Sequence, residues 1–115
     1  MEFKQWLENE NPYPTLSWVR QTLRYCVFAP SRRKILAAYI VGSEAKGTAR
    51  PDSDLDIAVI IDPVRGKSSM QYSDQYHWKF PSDESKPTWN GRRVDFQFFY
   101  PTDPELETYS KIQLL

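Results

Sequence analysis

The sequence predicts an α/β fold, a small mixed β-sheet with two or more helices packed on one face. Three observations predict it. Ile35–Val41 (ILAAYIV) and Leu55–Ile61 (LDIAVII) have the length and β-branched content of buried strands. Leu16, Val19, Leu23 and Val27 recur at helical spacing ahead of them. Asn90-Gly91 stands between β-formers and signals a two-residue hairpin that returns through Arg93–Tyr100. A chain of 115 residues has room for one core, so a single domain is expected over residues 1–115.

The elements follow in order. Glu2 to Leu7 can form a short helical turn, and Asn9 to Pro14, with its prolines and asparagines, is irregular. Thr15 or Ser17 caps a helix running to about Phe28, which Pro30 and Ser31 end. After the first strand come Gly42-Ser43, one or two helical turns over Glu44 to Thr48, and a loop, Ala49 to Ser53. In the second strand Leu55, Ile57, Val59 and Ile61 share one face, while Asp56, Ala58 and Ile60 take the other with Asp54; Asp62-Pro63 stops it. Pro63 to Pro87 is polar and lacks a clear period, and reads as a loop with a short helix or strand around Tyr72 to Phe80. In the last strand Val94, Phe96 and Phe98 oppose Asp95, Gln97 and Phe99. A short helix is expected over Pro104 to Ile112. The sheet should have three or four strands.

Composition narrows the function classes. Lys plus Arg and Asp plus Glu both number 15, so bulk charge does not recruit nucleic acid. No apolar run approaches the ~18 residues of a membrane span. MEFKQWLENE lacks the features of a secretory signal, and the single Cys26 implies no oxidising compartment, so the expected location is cytoplasmic. The charge is nonetheless segregated. Arg20, Arg24, Arg32, Arg33, Lys34, Lys46 and Arg50 precede Asp52, Asp54, Asp56 and Asp62. A polyanion held beside bound cations fits that order; so does a solvated helix face followed by an acidic loop.

Asp54 and Asp56, at i and i+2 on a strand, point the same way with Cα atoms ~6–7 Å apart. Like charges aimed at one point call for a cation, and oxygen ligands without histidine favour Mg²⁺ or Mn²⁺. Asp95 joins them if its strand lies beside Leu55–Ile61. Upstream, Gly42 lets backbone N–H groups approach a phosphate, Ser43 adds a hydroxyl, and Lys46 lies one turn on. Carboxylates beside a phosphate cradle suit phosphoryl or nucleotidyl transfer. Each part alone is common. A lone Asp95, for instance, would be a surface carboxylate or a partner for Arg92 or Arg93.

Gly42-Ser43, the ten residues to Ser53, and Asp54-Leu55-Asp56-Ile57-Ala58-Val59 together resemble the signature of the DNA polymerase β-like nucleotidyltransferase superfamily, in particular its minimal nucleotidyltransferase branch. The likeness covers about Ile35 to Ile61, and Val94-Asp95-Phe96 extends it. It implies the nucleotidyltransferase fold, and a nucleoside monophosphate passed from a triphosphate, ATP, to a hydroxyl of a protein or small molecule. Gly42 and Ser43 would bind the triphosphate. Asp54 and Asp56 would hold Mg²⁺ or Mn²⁺, and Asp95 would complete the metal site and help deprotonate the acceptor. Lys46 stands where relatives often carry Arg. The branch also implies a HEPN-domain partner in a toxin–antitoxin pair, in some cases with AMP added to a toxin tyrosine. The chain is too short for the substrate domain of larger relatives, so a partner or a homo-oligomer would recognise the acceptor. The rival reading is a non-catalytic module that binds a nucleotide or neutralises a partner by contact. Metal-dependent phosphate-ester hydrolysis is a third.

The remaining conspicuous residues take structural roles. His77, the one histidine, lacks the partners of a zinc site or triad, and Cys26 reads as core. Trp6, Trp18, Trp78 and Trp89 read as packing, with Trp78 or Trp89 as alternative base-stacking platforms. Arg32, Arg33 and Lys34 lie at the far end of the first strand from Gly42 and read as a solvated turn.

Overall fold

The computed structural model describes residues 12–24, 34–50 and 52–115. Its elements are α1 (Leu16–Arg24), β1 (Ile35–Val41), α2 (Gly42–Lys46), β2 (Leu55–Ile61), α3 (Ser69–Lys79), β3 (Thr88–Trp89), β4 (Arg92–Phe99), α4 (Glu105–Thr108) and β5 (Ile112–Gln113), with a 3-10 turn at Asp83–Ser85. The strands form one mixed sheet in the order β3-β4-β2-β1-β5. β1 and β2 are antiparallel, and β2 and β4 are parallel. The expected helices Glu2 to Leu7 and beyond Arg24, with Trp6, Cys26, Val27, Arg32 and Arg33, lie outside the described residues.

The alternation read in the sequence sets the two faces. Leu55, Ile57, Val59 and Ile61 of β2 and Val94, Phe96 and Phe98 of β4 form the main core with Val19 and Leu23 of α1 and Tyr72 and Tyr76 of α3. Both longer helices therefore cover the same face. The other face carries Asp56 and Asp95 at one end, and a small cluster of Val41, Ala58, Ile60 and Phe99 that begins beside Asp56 and runs along the strands, with Leu106 of α4 packed on it. In β1 the register shifts between Ile35 and Ala37, leaving Leu36 as an exposed extra residue. That bulge lets an almost uninterrupted apolar run keep Ala38 and Ile40 on the main core.

Thr15 caps α1, its hydroxyl accepting the Trp18 N–H at 3.1 Å. Asn90 and Gly91 both have positive φ, as a type I′ hairpin turn requires.

Two segments differ from the sequence reading. Where the sequence left a short helix or strand open around Tyr72 to Phe80, the structure holds an eleven-residue helix, α3, that starts earlier, at Ser69. Its buried positions, Ser69, Tyr72 and Tyr76, are a serine and two tyrosines, so aliphatic periodicity does not decide between helix and strand or give its length. The tyrosines work as apolar bodies with polar tips. The Tyr76 ring meets Phe96 edge-on at 5.6 Å, and its hydroxyl donates to the Val94 carbonyl at 3.0 Å. Ser73 Oγ accepts the Phe98 N–H at 2.9 Å. β3 pairs only with Arg92 and Arg93, so these bonds satisfy groups along the otherwise open edge of β4.

The second difference is at the C-terminal end. In place of a helix over Pro104 to Ile112 there is a four-residue helix followed by β5, the fifth strand of the sheet. β5 pairs with Tyr39 and Ile40, and the buried Leu114 donates its N–H to the Ala38 carbonyl at 2.9 Å. Closing the exposed edge of β1 outweighs a helix this short.

Tyr76 can be tested through both of its ends. Tyr76→Phe should lower unfolding free energy by about 1–2 kcal/mol, since it strands a strand carbonyl. Tyr76→Ala should lower it by about 3–5 kcal/mol, since it also empties the core. Urea unfolding followed by circular dichroism measures both.

Candidate active site

The site lies at the end of the sheet where β1 finishes and β2 and β4 begin. Asp56 is opposite Asp95 in the parallel register, and opposite Val41 on the antiparallel side. Adjacent strands are ~4.8 Å apart, so the Asp56 and Asp95 carboxyl groups share one surface of the sheet. Asp54 stands immediately before β2 on the same side. The sequence-predicted trio is brought to one strand end. Among the described residues, however, no three His, Cys, Asp or Glu side chains form a ready-made ion cage.

Gly42 joins this trio directly. It follows Val41 with φ of 70°, the left-handed region that favours glycine. A β-carbon there would collide with Asp56 Oδ2. Close approach of turn to carboxylate thus requires glycine for space as well as for conformation. Ser43 and Glu44 continue into α2, which closes on Gly47: the Gly47 N–H reaches the Glu44 carbonyl at 3.2 Å and the Thr48 N–H the Ser43 carbonyl at 2.9 Å. Lys46, exposed in the last turn, lines a cavity of about 170 Å³ with Gly42, Asp56, Gln97 and Tyr109. A neighbouring cavity of about 520 Å³ shares Gln97 and Tyr109 and extends over Phe99 to His77, Ser73 and Asp74 of α3.

The charges around the carboxylates are unevenly distributed. Arg93 Nε donates to Asp54 Oδ1 at 3.0 Å. Lys86 Nζ lies 3.6 Å from Asp54 Oδ2 and 4.0 Å from Asp95 Oδ1. His77 Nδ1 is 3.9 Å from the same Asp95 oxygen. No donor comes within hydrogen-bonding distance of that oxygen, which is buried and unsatisfied. Among the described residues no cation comes so close to Asp56. Burial first, and then repulsion from Asp95 and Asp54, pushes its carboxyl up to about 6, against opposing attraction from Lys86 and Arg92.

The arginines do not take the role considered for them beside Asp95. Arg92 turns the other way. Its Nη1 donates to Glu44 Oε2 at 3.0 Å and its Nε to the Ser53 carbonyl at 3.1 Å. One guanidinium therefore ties α2 to the loop that presents Asp54. Tyr13 donates to the other Glu44 oxygen at 3.2 Å. The sequence reading missed Lys86, the Arg93–Asp54 contact and the Glu44–Arg92 pair. Hairpin register is the signal for Lys86: Thr88 pairs with Arg93, so two residues further along the ladder Lys86 falls opposite Asp95. Of the tryptophans, Trp89 packs edge-on against Trp18 at 5.4 Å, and Trp78 is 83% exposed.

A raised carboxyl makes the metal-free fold less stable as pH rises. Below the ordinary carboxylate range Asp56 is neutral in both folded and unfolded chains and carries no penalty. Between about 4 and 6 the folded chain holds the extra proton, so stability falls with pH, and above 6 the full penalty remains. Asp56→Asn should therefore melt a few degrees above the parent protein at pH 7.5 in EDTA, with the difference gone near pH 4. Differential scanning fluorimetry across pH checks this.

The comparisons with known proteins agree with this geometry. A family model described as "Polymerase beta, Nucleotidyltransferase" matches residues 27–109, most of the chain and every residue of the site. No curated protein and no solved structure matches it. With Gly42-Ser43 against Asp56, Asp56 beside Asp95, and a match of this length, the chain belongs to the polymerase β nucleotidyltransferase family.

Proposed function

We propose that this protein moves AMP from ATP to a hydroxyl acceptor, using a divalent cation held by Asp54, Asp56 and Asp95. The observation that carries the reading is the fit of Gly42 against Asp56: a phosphate received by the turn would lie beside the carboxylates. Gly42 and Ser43 would offer backbone N–H groups and a hydroxyl to the triphosphate. Lys46 would add a point charge, without the bidentate geometry of arginine. The carboxylate set suits Mg²⁺ or Mn²⁺, and the unsatisfied Asp95 oxygen is an acceptor that such an ion would complete. When bound, the ion supplies neutralisation of charge on the α-phosphate and on the departing pyrophosphate.

The chain's own residues do the rest. The 42–43 turn orients the triphosphate, and Asp95 takes the proton from the acceptor hydroxyl. The acceptor oxygen forms its bond to the α-phosphorus as the bond from that phosphorus to the bridging oxygen breaks. Pyrophosphate leaves with the electron pair. The cavity of about 520 Å³ beside Gln97 is large enough for a nucleoside or an acceptor side chain.

We place the protein in the minimal nucleotidyltransferase branch, with a HEPN-domain protein as acceptor and an antitoxin role. Support for this comes from the sequence resemblance and from the small size of the domain. The test is incubation with α-³²P-ATP, Mg²⁺ and a HEPN-domain protein from the same organism, or a cell lysate. A labelled acceptor is expected, with labelling lost in Asp54→Asn/Asp56→Asn. Gly42→Ala should reduce labelling by roughly 100-fold or more while far-UV circular dichroism stays native. If the double variant neutralises its partner as well as the parent protein does, the non-catalytic binding module is the correct reading.

A further inference from the structure

Lys86 belongs to no motif in the sequence, yet its ammonium reaches two of the three site carboxylates, Asp54 at 3.6 Å and Asp95 at 4.0 Å. Its side chain is only 13% exposed, so the charge is held inside the cluster and does not trail over it. Hairpin register brings it there: Val94 donates its N–H to the Pro87 carbonyl at 2.8 Å, which seats residue 86 opposite Asp95. Three carboxylates this close would otherwise repel one another across a partly dehydrated surface.

We propose that Lys86 is the resident counter-cation of the carboxylate cluster, an ammonium that a divalent ion must displace before Asp54, Asp56 and Asp95 can take it up. The inference rests on the metal-binding reading above. Two features make displacement feasible. Both ionic contacts exceed hydrogen-bond length, so no directional bond to these oxygens has to break. The lysine charge also rides on a flexible four-carbon stem, and the chain before it, through the Asp83–Ser85 turn, is exposed at Ser82, Glu84 and Ser85. Arg93 does not fill the same role, because its Nε reaches Asp54 alone of the three and its side chain is 41% exposed. Lys86 thus holds the metal-free site together and sets a threshold for metal loading.

The test reads metal binding and not activity. Free Mn²⁺ is titrated by electron paramagnetic resonance into the full chain, alone and with a non-hydrolysable ATP analogue. Lys86→Met and Lys86→Gln should bind Mn²⁺ about tenfold or more tightly than the parent, and Lys86→Arg should stay near it. In EDTA the two neutral variants should melt lower than the parent, and on Mn²⁺ saturation they should gain more. If the parent binds Mn²⁺ and both neutral variants bind it equally or more weakly, Lys86 is no competitor and the inference fails while the metal reading stands. If neither parent nor variants bind Mn²⁺ under either condition, the metal reading itself fails.

Discussion

Everything at the working end of this fold answers to the repulsion among Asp54, Asp56 and Asp95. Parallel pairing of β2 and β4 sets Asp56 and Asp95 side by side, and neither can turn into the core behind them. The protein does not dilute this charge. It surrounds it with basic side chains at graded distances: the Arg93 guanidinium in contact with Asp54, the Lys86 ammonium between Asp54 and Asp95, and the His77 ring behind Asp95. Asp56, against the Gly42 turn, has its carboxyl pushed up to about 6 by burial first and then by Asp95 and Asp54.

Such a cluster needs a rigid frame, and the frame is on the opposite face of the same strands. Leu55, Ile57, Val94 and Phe96 alternate with the acids and are fully buried or nearly so. A shift of one residue in the β2–β4 register would turn acids toward the core and aliphatics toward solvent. Burial therefore fixes carboxylate geometry without any bond between the carboxylates. α3 contributes by occupying the open edge of β4 with Ser73 and Tyr76. α2 and the loop before Asp54 are joined through Arg92, whose partners Glu44 and Ser53 flank the Gly42-Ser43 turn and the acids.

The parts of this arrangement governed by local rules were legible in the sequence. Strand alternation located β2 and β4 and the faces of Asp54, Asp56 and Asp95, and Asn90-Gly91 located the hairpin. Gly42, Ser43 and Lys46 were singled out by order and spacing. What escaped depends on partners distant in sequence. α3 is buried through serine and tyrosines whose polar atoms find strand groups, so its pattern does not look apolar. β5 exists because β1 has an edge to cover, which residues 112–113 alone do not disclose. Arg92 and Arg93 are adjacent, and on a strand they point to opposite faces. One serves Glu44 and the other Asp54, a division that follows once the sheet order is known.

Lys86 marks the boundary between these two kinds of information. Its distance from Asp95 along the hairpin is a local fact, available from the Asn-Gly turn and the pairing of Thr88 with Arg93. Its charge acquires meaning only when β4 is set beside β2, because Asp54 enters the cluster from the other strand. A neutral residue at 86 would leave Asp54 to Arg93 and Asp95 to a half-exposed histidine, with the buried Asp95 oxygen still lacking a donor. The lysine lowers the repulsion among the carboxylates from ionic distance of two of them, Asp54 and Asp95. If a divalent ion is taken up here, the same side chain sets the stability of the metal-free fold and the readiness of the site to load, in opposite directions.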